Sequence, residues 1–230
     1  MAVARALVLD EDPELAELVP RLQLQTAREA SLASVVDVVS GRWDARIDAD
    51  PAREGYGLLL LDGVLVRRVG YSGRFGAELL ADGDLLRPWD FDGDELMGFE
   101  TTWRALARTR LAVLDAPWTE RMARYTQVGP ALAGRALARS RRLSALMAIA
   151  QQPRLDERLW MLFWELAERH GRVHPDGIHI DLPLTHEVLS HLVAARRPSV
   201  SGALTKLAAQ GRLHRDGSAW VLPGDPPASG

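Results

Sequence analysis

Between Pro13 and Gln25 the apolar residues Leu15, Leu18, Val19 and Leu22 recur at intervals of three and four, the pattern of an amphipathic helix. Ala30 to Val39 fits a helix or a strand. From Tyr56 the pattern changes. Leu58 to Leu61 and Val64 to Val66 are short apolar runs separated by Asp62-Gly63, a pair that predicts a two-residue hairpin turn. Arg67 to Val69 extends the second strand toward a turn near Ser72-Gly73. Phe75 to Leu80 returns, Asp82-Gly83 turns again, and Leu111 to Leu114 closes the set. Short strands joined by glycine-centred turns predict a sandwich or roll.

Asp115-Ala116-Pro117 ends the strands, and Trp118 to Thr126 reads as a short helix that Gly129-Pro130 breaks. Ala131 to Ala150 is a strong helix, rich in Ala, Leu and Arg. Its Leu132, Ala136, Arg139, Leu143, Leu146 and Ala150 approximate a repeat of three and four. Such a seam pairs two copies across a two-fold axis or covers the molecule's own sheet, and periodicity does not choose between them. Beyond Pro153, Leu155 to His170 carries Leu155, Leu159, Leu162, Phe163 and Leu166 on one face, widened by Trp160 and Trp164. Ile178-His179-Ile180 predicts a short strand. The tail from Pro223 is expected to be disordered.

Two short amphipathic helices follow. Leu189, Leu192 and Val193 share one face of the first, and Val200, Ala203, Leu204 and Leu207 one face of the second. Ala194 and Ala195 fill the junction, where little more than a methyl group fits. Arg197, Ser201 and Thr205 lie opposite the second stripe, flanked by Ser199, Gly202 and Lys206. Hydroxyls and cations on a helix packed at its back suit a DNA major groove, although a plain helical hairpin has the same spacing. Arg212 to Arg215 and Ala219 to Leu222 flank Asp216-Gly217-Ser218, a strong hairpin signal, and make a two-stranded wing in which Arg212 and Arg215 would face phosphates.

The run from Leu184-Thr185 through Arg197-Pro198-Ser199-Val200-Ser201, then Ala203-Leu204, Leu207 and Gly211-Arg212-Leu213, resembles the C-terminal domain of the Crp/Fnr transcription regulators. The resemblance implies an α+β homodimer. An N-terminal double-stranded β-roll sensor, jelly-roll-like, spans 1–117. A linker and long dimerisation helix span 118–152, a winged helix-turn-helix 153–222, and a tail 223–230. It implies promoter DNA as partner, RNA polymerase as a further one, and Leu132, Ala136, Arg139, Leu143, Leu146 and Ala150 as the dimer seam. Thr185, His186, Arg196, Arg197, Ser199, Ser201, Gly202, Thr205, Lys206, Arg212 and Arg215 become the candidate DNA contacts. Many relatives carry arginine where this chain has Gly202, which cannot read a guanine edge and weakens its helix by roughly 1 kcal/mol.

Composition adds little to this picture until charge is divided along the chain. The 47% apolar and 26% charged content are those of a soluble globular protein, and the net charge is −3. Residues 1–100 hold 10 Arg against 20 Asp and Glu, whereas residues 101–230 hold 18 Lys and Arg against 11. An acidic front and a basic back suit a sensor joined to a nucleic-acid reader. The N-terminal residues read as neither signal peptide nor membrane span, so a cytoplasmic location without a membrane partner is expected.

Relatives that bind cyclic nucleotides carry a Gly-Glu step and an arginine–hydroxyl pair after this turn. Here Gly83-Asp84 leads into LLRPWDFDGDELMG, which has neither. Asp90, Asp92, Asp94 and Glu95 put four carboxylates where a phosphate would sit, leaving Arg87 as a weak candidate ligand. Cyclic AMP is therefore not the expected effector, whose identity the sequence leaves unknown. The acidic run lacks EF-hand spacing. With no cysteine, and all 6 histidines at or beyond His170, no metal site or cofactor is expected. Nor does any P-loop, nucleophile elbow or dinucleotide fingerprint point to an enzyme. The rival reading is a ligand-sensing or scaffold protein whose degenerate helix-turn-helix mediates protein interaction.

Overall fold

The computed structural model describes residues 4–91 and 98–226. Strand β1 (Arg5–Leu7) leads into the short helices α1 (Val8–Glu11), α2 (Pro13–Glu17) and α3 (Leu24–Ala30). Strands β2 (Leu32–Val38) and β3 (Gly41–Trp43) and helix α4 (Ala45–Ala49) come next. Then follow β4 (Gly57–Asp62), β5 (Val64–Tyr71), β6 (Arg74–Ala81), β7 (Leu85–Leu86), β8 (Glu100–Ala105) and β9 (Thr109–Leu114). Helix α5 (Ala116–Met122) precedes the long helix α6 (Val128–Ala150). The remainder comprises α7 (Leu155–His170), β10 (Gly171–His174), β11 (Gly177–Ile180), α8 (His186–Leu192), α9 (Arg197–Ala209), β12 (His214–Asp216) and β13 (Ala219–Leu222). The chain divides into two compact units, residues 1–71 with 79–141 and residues 72–78 with 142–230. The division therefore falls within α6 and also within β6.

Two antiparallel sheets, ordered β1-β2-β9-β4-β7 and β3-β8-β5-β6, make the expected roll. Its interior holds Leu58, Leu60, Leu65, Leu80, Leu86 and Leu111, with Trp43 and Trp103 edge-on at 5.7 Å. Full burial of such aliphatic side chains stabilises by about 1.5–3 kcal/mol each. A second core, containing Leu15, Val19, Leu59, Leu114, Trp118, Met122 and Leu132, joins the five-stranded sheet to the helices around it. The Asp115 carboxylate caps α5 by accepting from Trp118 N at 2.8 Å.

Three local expectations are corrected and one open reading is resolved. Asp62-Gly63 does not close a hairpin: β4 pairs with β7 and β9, whereas β5 pairs with β8 in the other sheet. Gly63 is needed there because at φ +108° a Cβ would lie 2.6 Å from the Arg108 carbonyl. The helix expected from Pro13 to Gln25 is broken at Pro20. Leu15 and Val19 are buried, but Leu22 is 101% exposed. Ala30 to Val39 resolves as a strand from Leu32. Gly129-Pro130 lies inside the first turn of α6, where proline's missing N–H costs nothing.

In the second unit α7 has the expected bounds and buries Leu159, Leu162, Phe163 and Leu166. It packs against α9 and β11, Phe163 meets Trp220 at 5.0 Å, and Ile180, Leu189, Val200, Leu204 and Leu207 are buried in the same unit. A four-stranded sheet, β10-β11-β13-β12, completes it. Asp216 pairs with Ala219 across the wing turn, with Gly217 at φ +55°, as the Asp-Gly signal predicts. The expected disorder of residues 227–230 lies outside the described residues.

Candidate nucleic-acid interface

Helix α8 begins where the Thr185 hydroxyl accepts from Val188 N at 3.2 Å. It ends at a turn whose tightness is set by Ala194, a non-glycine residue at φ +50°. Arg158, unnoticed in the sequence, holds this turn by donating to Val193 O at 3.2 Å and to Gln152 O at 2.6 Å. Helix α9 then starts at Arg197 with Pro198 in its first turn. His186 Nδ1 meets Ser201 Oγ at 2.8 Å, tying the two helices across the turn. Thr205 donates to Ser201 O at 3.0 Å. Val200, Leu204 and Leu207 are buried while Ser199, Gly202 and Thr205 face outward, as the periodicity predicts.

The cations separate into two groups. Arg196 and Arg197 are exposed, and their guanidinium groups have no partner among the described residues. They stand at the N-terminus of α9, where the helix dipole disfavours positive charge and an anion would relieve both. Lys206 and Arg212, expected on phosphate, are instead occupied. Lys206 Nζ lies 2.6 Å from Asp156 Oδ2, which Arg154 also holds at 2.7 Å. Arg212 makes a bidentate pair with Glu157 at 2.8 and 3.1 Å and stacks 3.6 Å from the centroid of Trp160. Arg215 remains exposed, donating to Ser218 O at 3.0 Å beside the Trp220 ring.

Hydrogen bonds from Arg154 and then Lys206 hold the Asp156 carboxyl far below the usual carboxylate range, and Arg212 lowers Glu157 in the same way. Depressed carboxylates contribute stability above their unfolded pKa of about 4 and lose it as pH falls through the folded value. At neutral pH both carboxylates are therefore ionised. In the sequence α7 is marked by its apolar face, which does not single out Asp156 or Glu157, the adjacent carboxylates that open it.

At Gly202 an added Cβ would meet nothing within 4 Å. Gly202→Ala is expected to stabilise the fold by about 1 kcal/mol, read as an upward shift in melting temperature.

The long helix presents a different outward face from the one expected. Leu132 is 0% exposed in the core of the first unit, and Arg139 donates to Leu85 O at 3.2 Å, so these two positions pack inward. Leu143, Leu146 and Ala150 are half-buried, and Ala136 alone of the expected seam is fully outward. One residue further round, Ala133, Leu137, Ser140, Ser144 and Met147 are all exposed at spacings of four and three, with Leu137 at 63% and Met147 at 70%. Arg135 binds Asp12 and Glu14 on the inward side.

In the roll, Arg87 donates to Gly55 O at 3.0 Å and lies over Trp89, 4.9 Å from its centroid. Its Nη1 donor is thus directed at the protein's own backbone. Asp92, Asp94, Glu95 and the side chain of Asp90 lie outside the described residues. Among the described residues no three His, Cys, Asp or Glu side chains converge, and no helix is long and apolar enough to cross a membrane.

Residues 157–223 match the Crp-like helix-turn-helix domain. Among solved structures, a cyclic nucleotide-binding domain containing protein from Listeria monocytogenes superposes with a TM-score of 0.67 at 13% identity, over 91% of this chain and 96% of that one. A CooA mutant from Carboxydothermus hydrogenoformans gives 0.63 at 14%, over 94% and 91%. A CRP-family transcriptional regulator from Thermus thermophilus gives 0.55 at 22%, over 82% and 92%. No curated protein matches the sequence.

Proposed function

We infer, from a chain that has the Crp/Fnr fold and a Crp-like helix-turn-helix domain, that this protein is a cytoplasmic, homodimeric, sequence-specific transcription regulator. The observation that carries the reading is the pair of exposed guanidinium groups at the start of α9, which have no partner among the described residues, in a unit that also holds the two-stranded wing β12–β13. Arg197 is assigned to a base edge, Arg196 and Arg215 to phosphates, and Ser199 and Thr205 to the groove wall. The exposed stripe of α6, centred on Leu137 and Met147, is assigned to the two-fold contact that sets two recognition helices about 34 Å apart. The test is selection of fragmented genomic DNA by the purified protein, followed by sequencing. An enriched inverted repeat with half-sites one helical turn apart is expected; fragments enriched for no common motif would reject the reading.

The sensor unit does not take cyclic AMP or cyclic GMP in this reading. The roll interior is filled by Trp43, Trp103 and aliphatic side chains, and Arg87 Nη1 donates to the Gly55 carbonyl. A ligand that binds the native state raises its melting temperature by mass action. Millimolar cyclic AMP or cyclic GMP should therefore leave the melting temperature unchanged, and a saturating upward shift would restore a nucleotide site.

A further inference from the structure

Nonspecific affinity for DNA grows with every phosphate a protein neutralises, and each contact steepens the dependence of log K on log salt by about 0.9. A regulator that must find one site among many gains from keeping surplus cations away from the backbone. Lys206, on the recognition helix, and Arg212, beside the wing, are surplus cations of this kind, and both are held by protein carboxylates. Asp156 is only 8% exposed, so a phosphate drawing off Lys206 competes with a carboxylate that has already lost most of its water. Arg212 is held more firmly, by two hydrogen bonds to Glu157 and by the face of Trp160.

We propose that Asp156 and Glu157 are specificity-determining positioning residues: they withhold Lys206 and Arg212 from DNA phosphates and leave discrimination to Arg197. The proposal rests on the DNA-binding reading. The two carboxylates touch no DNA in it. They act by fixing where two cations point, and they join the recognition helix and the base of the wing to the start of α7. The arrangement uses adjacent positions, 156 and 157, to address two elements that are themselves separated by the end of α9.

The experiment is a salt titration of the full-length protein on a mixed-sequence duplex of about 30 base pairs, followed by fluorescence anisotropy and read against the nonspecific salt slope. Glu157→Gln is expected to steepen that slope by about 0.9 and to raise affinity about five-fold at 0.15 M salt for each subunit that contacts the duplex. Glu157→Ala, which also removes the hydrogen-bond acceptor, should do the same. Arg212→Gln should leave the wild-type slope unchanged, because the arginine is already occupied. Glu168→Gln removes an exposed carboxylate elsewhere on α7 and should also leave it unchanged. Variants are compared only where circular dichroism shows the wild-type fold, and the Glu157 pair gives two independent chances of that. Unchanged slopes in both Glu157 variants would overturn the proposal, as would an equal change in Glu168→Gln or a shallower slope in Arg212→Gln. A wild-type protein that binds no duplex at any salt would instead overturn the DNA-binding reading, and this inference with it.

Discussion

Arg197→Ala is expected to cost about 1–3 kcal/mol of affinity for the selected site and to relax base preference at one position in each half-site. The size follows from what the side chain can offer. A guanidinium presents a planar fork of donors that matches the two acceptors of a guanine edge, and alanine presents nothing in their place. The fold has no claim on this group, which is exposed and unpartnered among the described residues. Melting temperature should therefore be unchanged. Arg196→Ala, one residue earlier at the N-cap, should weaken all sequences evenly and reduce the salt slope by about 1. Unchanged affinity for Arg197→Ala at fixed salt, with the fold intact, would remove α9 from the groove.

Leu137→Asp is expected to convert the dimer into monomers and to abolish binding to the inverted repeat. Leu137 is exposed in the single chain, so the carboxylate costs the folded monomer little. In a two-fold pair two such carboxylates would approach each other in an apolar seam, where burial of unpaired charge is prohibitive. Light scattering should report half the wild-type mass. Leu132→Asp provides the contrast, because that side chain lies in the core and its replacement should unfold the first unit. A Leu137→Asp protein that keeps the dimeric mass would move the contact away from this stripe.

What could be read from the chain alone was what local spacing encodes. The three-four repeats of α7, α8 and α9 gave their buried faces, and Asp216-Gly217 gave the wing, because each of these elements is specified by residues close in sequence. Asp62-Gly63 carried the same turn signal and misled. Both flanking runs are buried on every side, without the alternation that a half-exposed hairpin shows, and they belong to opposite sheets. The long helix shows a subtler limit. Stripes starting at Leu132 and at Ala133 differ by one residue, about 100° round a helix. Spacing singled out the first stripe, yet its Leu132 lies in the core of the first unit.

The candidate DNA-contacting cations were legible as residue types but not as free or occupied. Lys206 and Arg212 resemble Arg197 in sequence, yet their carboxylate partners stand about 50 positions away on another helix, beyond any local pattern. Neither the His186–Ser201 contact nor the Arg158 hold on the turn leaves a mark in periodicity. In each case the decisive partner is long-range.

The dimer's recognition of DNA is tested most directly by equilibrium titration of the wild-type protein at about 0.15 M salt. Three duplexes are compared: the selected inverted repeat, the same duplex with one half-site scrambled, and unrelated DNA. A preference of about 10³ or more for the repeat over unrelated DNA is expected, with most of it lost when one half-site is scrambled. Equal affinities for all three duplexes would contradict it.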